Sequence, residues 1–303
     1  MSRAVPDRQE VPDPQETARI RSALGERFVA ARRVNRGYAN NRRWVVTLAD
    51  GRTVFVKHAD DAMTARWLRR EFEVYQHVRD DFHPDVLGWF DDGELPVLAL
   101  EDLSGCRWPP PWTAARIEAL FETLGRIAGQ QPPPHTPAVG AEIITPETGW
   151  AFVAQDVVPL LSLGLCTRAW LDRALPTLIG AADPRLLDGT ALLHTDVRSD
   201  NLCFRDGATV LVDWNQTSVG NAEIDVAFLL PSLHLEGGPA PQNVAPYVTP
   251  GMAAHVAGYF ASRAGLPAPP TAPLVRHIQR KQLEVALPWA AALLDLPPPD
   301  RAA

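Results

Sequence analysis

The stretch "TALLHTDVRSDNLCFRDGATVLVDWN", residues 190–215, sets His194, Asp196 and Asn201 in one polar segment and Asp213 at the end of the next apolar run. Strand-like pieces surround the polar segment: "LLH" before it, then "LCF" and "TVLVD" on either side of Asp206-Gly207. A carboxylate and an amide oxygen therefore share one loop, and a second carboxylate follows Asn201 twelve residues later. Such a set suits phosphoryl transfer, which needs a carboxylate to orient an acceptor hydroxyl and hard oxygen ligands for a cation bridging phosphates. Two other readings use the same residues. Asp and Asn also serve turn chemistry between core strands, and His with Asp can ligate a hydrolytic metal, although no second His or Cys lies nearby.

Upstream of this stretch the pattern is rich in strands. Residues 16–25 read as a short helix, "FVAARRV" at 28–34 as a strand, and "WVVTLADGRTVFVKH" as two strands joined at Asp50-Gly51. Apolar residues at helical spacing over 62–79 predict one helix, and "VLGWF" and "LPVLAL" predict two further strands joined through "DDGE". Beyond "EDLSG" at 101–105 the spacing predicts helices at 113–129, 167–180, 222–235, 250–264 and 274–294, punctuated by proline clusters. The segment 138–165 shows no clear period.

Bulk properties narrow the function. With 303 residues the chain can build two lobes with real cores. A net charge of −7 argues against nucleic acid. Three widely spaced cysteines, with no CxxC pair, fit a reducing cytoplasm rather than a disulfide framework or a zinc site. No apolar run reaches the length of a membrane span, and the first residues lack the apolar core of a secretory signal. No Walker A or GxGxxG pattern occurs.

The spacing His194-x-Asp196-x4-Asn201, with Asp213 following in "VDW", resembles the catalytic segment of the protein-kinase-like fold. The His-Thr-Asp start and the "VDW" end look most like its aminoglycoside phosphotransferase branch. That resemblance implies an α+β, two-lobe, protein-kinase-like fold: a flexible segment 1–15, an N-terminal lobe over 16–100 with an antiparallel sheet and one helix, a hinge at 101–105, and a mainly helical C-terminal lobe over 106–303. It implies a cytoplasmic enzyme that moves the γ-phosphate of ATP, or alternatively GTP, to a hydroxyl of a small molecule with the help of Mg²⁺. Asp196 would be the catalytic carboxylate, Asn201 and Asp213 the metal ligands, and His194 a brace for the loop.

Other positions then take roles from the same resemblance. Lys57, ending "TVFVK", would hold the α- and β-phosphates, and Glu71 on the following helix would fix the lysine. Only two of the 29 basic residues are lysines, so the ammonium at a strand end stands out. Glu73 is a rival to Glu71 but belongs to another helix face. Gly37 and Asn40, in "NRGYANN", would cover the phosphates, while the Glu101 carbonyl and Leu103 amide would read the base. Asp225 matches a carboxylate that pins the catalytic loop from a helix start.

This chain also departs from the pattern. Val197-Arg198-Ser199-Asp200 replaces the usual Leu-His-Pro-Gly, and Arg198 is expected to bring positive charge to the transferred phosphate. Asn215 stands where a Glu is common. Residues 106–303 hold 13 basic and 18 acidic side chains, which points to a cationic acceptor such as an aminoglycoside-like antibiotic. A metabolic small-molecule kinase acting on choline, a sugar or an amino alcohol is the alternative, and a catalytically dead binding module is the reading from another class. Six of the nine tryptophans lie in the same lobe; they are expected mostly in the core, with stacking on the acceptor as the alternative. The absence of "DFG" and "APE" after Asp213 argues against a protein kinase. Oligomeric state has no signature in the sequence.

Overall fold

The computed structural model describes residues 11–25, 27–34, 42–78, 80–270 and 272–300. Two compact units emerge, Met1–Arg107 with Val210–Asn215, and Trp108–Thr209 with Gln216–Ala303. Each is described by itself.

The first unit begins with α1 (Pro14–Leu24), which starts two residues before the helical period suggests. Asp13 is the reason: its side chain accepts from the Gln15 and Glu16 amides, Glu16 caps back onto Asp13, and Pro14 occupies the first turn. Five strands follow, β1 (Phe28–Arg33), β2 (Arg42–Leu48), β3 (Thr53–His58), β4 (Val86–Phe90) and β5 (Val97–Glu101), with α2 (Ala62–His77) between β3 and β4. They form one antiparallel sheet in the order β1-β2-β3-β5-β4. Gly51 takes φ 86° in the β2–β3 turn, a conformation only glycine adopts cheaply. Ile20 of α1 packs with Trp44, Val46, Leu48, Val54, Val56 and Val97 in a buried cluster. Gly88 lets β4 pass under α1, since a Cβ there would lie 2.1 Å from the Ala23 carbonyl oxygen.

The second unit is mostly helical. It contains α3 (Ala114–Ala128), α4 (Val139–Glu142), α5 (Trp150–Val153), α6 (Val158–Leu161) and α7 (Arg168–Ala181). Strand β6 (Ala191–Leu193) comes next, and β7 (Leu202–Arg205) forms a two-stranded sheet with β8 (Ala208–Leu211). Strand β9 (Ser218–Gly220), which the sequence reading did not foresee, pairs antiparallel with β6. Then come α8 (Glu223–Leu235), α9 (Pro241–Val244), α10 (Pro250–Ala264) and α11 (Val275–Leu293). The unreadable segment 138–165 resolves into three one-turn helices, too short to show a period. Of the six tryptophans beyond residue 105, all but Trp108 are buried, so they belong to the core. No described helix is long and apolar enough to cross a membrane.

Candidate active site

In the first unit Lys57 is the fifth residue of β3, in register with Arg43 on β2 and Leu98 on β5, and so sits on the central strand of the five. Asp61 caps α2 by accepting from the Thr64 amide, and the helix's third turn brings Glu71 to the lysine. Lys57 Nζ donates to both Glu71 oxygens, at 2.7 and 2.8 Å, and to Asp213 Oδ1 at 3.0 Å. Lys57 is 4% exposed and Glu71 1%. Burial works against the Lys57 ammonium, yet Asp213 and Glu71 outweigh it and its pKa rises above the usual lysine value. Tyr75, one turn beyond Glu71, donates its hydroxyl to Glu71 Oε1 at 2.9 Å. Burial and this carboxylate push the phenol well above its ordinary pKa. Glu73 is exposed, so Glu71 is the acid that meets the lysine.

Asp213 lies two residues past β8 at φ 70°. Its neighbour Trp214 anchors it: the indole is fully buried, donates to the Leu211 carbonyl at 3.1 Å, and packs on Phe82 with ring centroids 5.8 Å apart. Asn215 Nδ2 donates to Asp213 Oδ1 at 3.3 Å. The Asp-Trp-Asn run is thus a carboxylate held between a packed ring and an amide donor.

In the second unit the polar loop after β6 is clamped by α8. That helix is apolar on nearly all sides, as an interior helix should be, so Asp225 in its first turn is buried. Asp225 Oδ2 accepts from the His194 amide and Oδ1 from the Thr195 amide, each at 2.7 Å. Burial lifts the Asp225 pKa, against the pull of His194 and the two amide bonds. Thr195 sits at φ 65°, a strained position for a β-branched residue, and its hydroxyl donates to the Gln216 carbonyl at 2.7 Å. His194 is fully buried, and its Nδ1 accepts from the Asp196 amide at 3.3 Å.

Asp196 then presents its carboxylate to the loop's own donors. Asn201 Nδ2 donates to Asp196 Oδ2 at 2.8 Å and to the Asp196 carbonyl at 2.9 Å. Arg198 Nε stands 3.0 Å from Asp196 Oδ1, and its Nη2 stands 3.4 Å from Asp200 Oδ2. The structure therefore brings Asp196, Arg198 and Asn201 together, with Asp200 holding the outer side of the guanidinium.

The remaining expectations fare differently. Gly37 and Asn40 lie outside the described residues. Glu101 is the last residue of β5 and its amide donates to the Asp85 carbonyl at 2.9 Å, while Leu103 opens a 3-10 turn capped by Asp102. One participant had no signal in the sequence. Glu236, just past the end of α8, accepts from Ser199 Oγ at 2.6 Å and from the Trp112 indole at 2.8 Å, tying the polar loop to the segment before α3. Only the polar Ser199 in place of a proline hinted at a bond there.

The donor chemistry fits a hard cation. Asn201 uses its amide nitrogen on Asp196, and its Oδ1 receives no hydrogen bond from any described residue. In the first unit, taken by itself, Asp213 offers a carboxylate. An amide oxygen and a carboxylate are ligands that Mg²⁺ accepts, with waters and phosphate oxygens completing its shell. Among the described residues no group of three or more His, Cys, Asp or Glu side chains gathers as a metal cluster.

Residues 30–263 match the phosphotransferase enzyme family, APH. Among solved structures, a spectinomycin phosphotransferase, APH(9)-Ia, in complex with ADP and spectinomycin is similar at TM-score 0.60 and 12% identity, covering 95% of this chain and all of that one. An amicoumacin kinase in complex with AMP-PNP and Ca²⁺ is similar at TM-score 0.54 and 14% identity, covering 90% of this chain and 93% of the other. A choline/ethanolamine kinase family protein from Mesorhizobium loti gives TM-score 0.52 and 14% identity over 89% of both chains. These likenesses show the fold, an antiparallel sheet followed by a helical part. No curated protein matches the chain by sequence.

Proposed function

The chain belongs to the phosphotransferase enzyme family, and from that premise we propose that it transfers the γ-phosphate of ATP to a hydroxyl of a small molecule. The observation that carries this reading is the buried Lys57 ammonium, held at once by Glu71 and Asp213. A buried ammonium fixed by two carboxylates is a compact, positioned positive charge, and polyphosphate is a ligand it suits. ADP and AMP-PNP in the similar structures support a nucleotide donor; ATP is the expected one and GTP the alternative.

Each residue then has a task. Lys57 binds the phosphates and Glu71 fixes its position. Asp196 orients the acceptor hydroxyl and takes its proton as the oxygen attacks. Arg198, already at Asp196, supplies charge to the phosphoryl group in transit. Asn201 Oδ1 and the Asp213 carboxylate would hold Mg²⁺, which neutralises phosphate charge when bound. His194 and Asp225 touch no substrate; they position the loop.

The acceptor is proposed to be an antibiotic-like molecule, supported by the likeness to the spectinomycin and amicoumacin enzymes. A metabolic acceptor is the second reading, supported by the choline/ethanolamine kinase likeness. The expectation of a cationic acceptor rested on the acidic excess, and several of those carboxylates are neutralised locally, as in Arg168–Asp172, Arg185–Asp183 and Arg280–Glu284. The three cysteines are free, which supports the proposed cytoplasmic setting. The test is Mg²⁺-dependent ATP consumption against pooled antibiotics, amino alcohols and sugars, with Asp196→Ala alongside. Turnover that the variant abolishes, with ATP binding retained, is expected. Turnover unchanged by the variant would refute the assignment.

A further inference from the structure

Helix α8, which clamps the catalytic loop through Asp225, also carries Phe228 one turn later. Phe228 meets Tyr259 of α10 edge to face, with centroids 5.4 Å apart. Over the Tyr259 ring sits the Arg263 guanidinium, 4.5 Å from the centroid. The next helix adds a second cation, Arg276 in the first turn of α11. Its Nε donates to the Pro267 carbonyl at 3.3 Å and its Nη1 to Gln279 Oε1 at 2.8 Å.

Neither arginine forms an ion pair with any described carboxylate. Arg263 Nε is buried without an acceptor, and the Tyr259 hydroxyl bonds to no described residue. The charges of Arg263 and Arg276 reach one another, and burial together with Arg263 depresses the Arg276 pKa. Burial raises the Tyr259 phenol's pKa, and the ring is joined to the loop's clamp through Phe228, which shares α8 with Asp225. Arg263 lies in the last turn of α10, where the helix dipole favours one cation. That effect explains neither a second arginine from α11 nor a buried N–H with nothing to donate to. Two like charges and an unmet Arg263 N–H in a partly buried place cost stability unless a ligand answers them.

We propose that Arg263 and Arg276, with the Tyr259 hydroxyl, form an anion site that takes a carboxylate or phosphate group carried by the acceptor. The acceptor part of this statement rests on the phosphotransfer reading; the anion site does not. It also reverses the sign expected of the substrate: the group recognised beside the catalytic loop is negative, whatever charges the rest of the molecule bears.

The test uses the full chain saturated with Mg²⁺-ADP, titrated with inorganic phosphate and with malonate and followed by calorimetry and melting temperature. Wild type is expected to bind both anions. Arg263→Gln and Arg276→Gln should each weaken binding about tenfold or more, the loss of one charge-assisted bond, and Arg263→Lys should recover part of it. Because the arginines repel, ligand-free Arg263→Gln should melt no lower than wild type; Arg276→Gln also loses its bonds to Pro267 and Gln279, so circular dichroism checks the folding of both variants. Failure of wild type to bind, or affinity unchanged in the double variant, overturns the site.

Hydroxy acids paired with their neutral amides then identify the anion's source. Preference for the acids, lost in the double variant through a rise in acceptor KM that exceeds any fall in kcat, supports the acceptor. A rise in the KM for ATP alone would assign the site to the transferred phosphate and overturn the acceptor part. Arginine-dependent anion binding with no turnover of any acceptor would leave the site standing and remove the phosphotransfer reading. Turnover of cationic acceptors, indifferent to both arginines, would do the reverse.

Discussion

Replacing Asp225 with asparagine separates what this carboxylate does for stability from what it does for the loop. Its two oxygens each accept one backbone N–H, from His194 and Thr195, at 2.7 Å. Asparagine keeps one acceptor and turns the other into a donor that faces an amide. One buried N–H is then unsatisfied, costing about 1–3 kcal/mol. Against this, burial already holds the Asp225 pKa above 3.8 despite both bonds, so a neutral side chain removes a desolvation cost. The unfolding free energy should therefore drop by only about 1–2 kcal/mol.

The loop has no such offset. Thr195 is held at φ 65°, a strain of about 1–3 kcal/mol, and Asp225 is one of two clamps that hold it. If the strain relaxes, the productive geometry becomes less populated by a factor of about 5 to 150, and kcat should fall by that factor. Urea denaturation reads the first quantity, and ATP turnover with the acceptor found by panel reads the second. Wild-type kcat in Asp225→Asn, or a stability loss beyond about 4 kcal/mol, would refute the reasoning. A sign in pH accompanies it. A raised folded pKa means that the Asp225 contribution is full below 3.8 and lost as pH rises through the folded value, so the variant's stability should vary less over that range.

Three further outcomes are expected. Lys57→Met leaves Glu71 buried without its cation and should cost about 3–5 kcal/mol; adding Glu71→Gln should restore most of the stability without restoring nucleotide affinity, which calorimetry with ATP would show. Glu236→Ala strips the acceptor from Ser199 and Trp112, so stability should fall by about 1–3 kcal/mol and kcat should drop while ATP affinity stays; unchanged kcat would remove Glu236 from the loop's support. His58 and His255 both have pKa values depressed by burial, and both His58 ring nitrogens lack partners. The unfolded chain then binds more protons, so stability is full above about pH 6.5 and lost as pH falls below it. His58→Leu should flatten the melting-temperature profile between about pH 5.5 and 7.5.

What the sequence disclosed and what it hid follow from the range of the interactions. The hairpin around Asp50-Gly51, the strand ending in Lys57 and the loop from His194 to Asn201 are local patterns, and each is found where its spacing puts it. Lys57 stood out because lysine is scarce, while its pairing with Glu71 came from the family resemblance and not from the local pattern. Strand β9 is three residues long, too short to alternate, and exists because β6 pairs with it. Glu236 and Ser199 are 37 residues apart and meet only because α8 runs its full length between Asp225 and the segment facing the loop. Arg263 and Arg276 belong to different helices, and no period links them. The acidic excess is a weak guide to an acceptor for the same reason: composition counts carboxylates without seeing which arginine each one touches. Asp183 shows it, since Arg185 two residues away sits against it and holds its pKa down to about 2, a local pairing that a tally does not see. An unpaired charge is a property of packing, so Arg263 and Arg276, which form no ion pair with a described carboxylate, come to notice only in the folded chain.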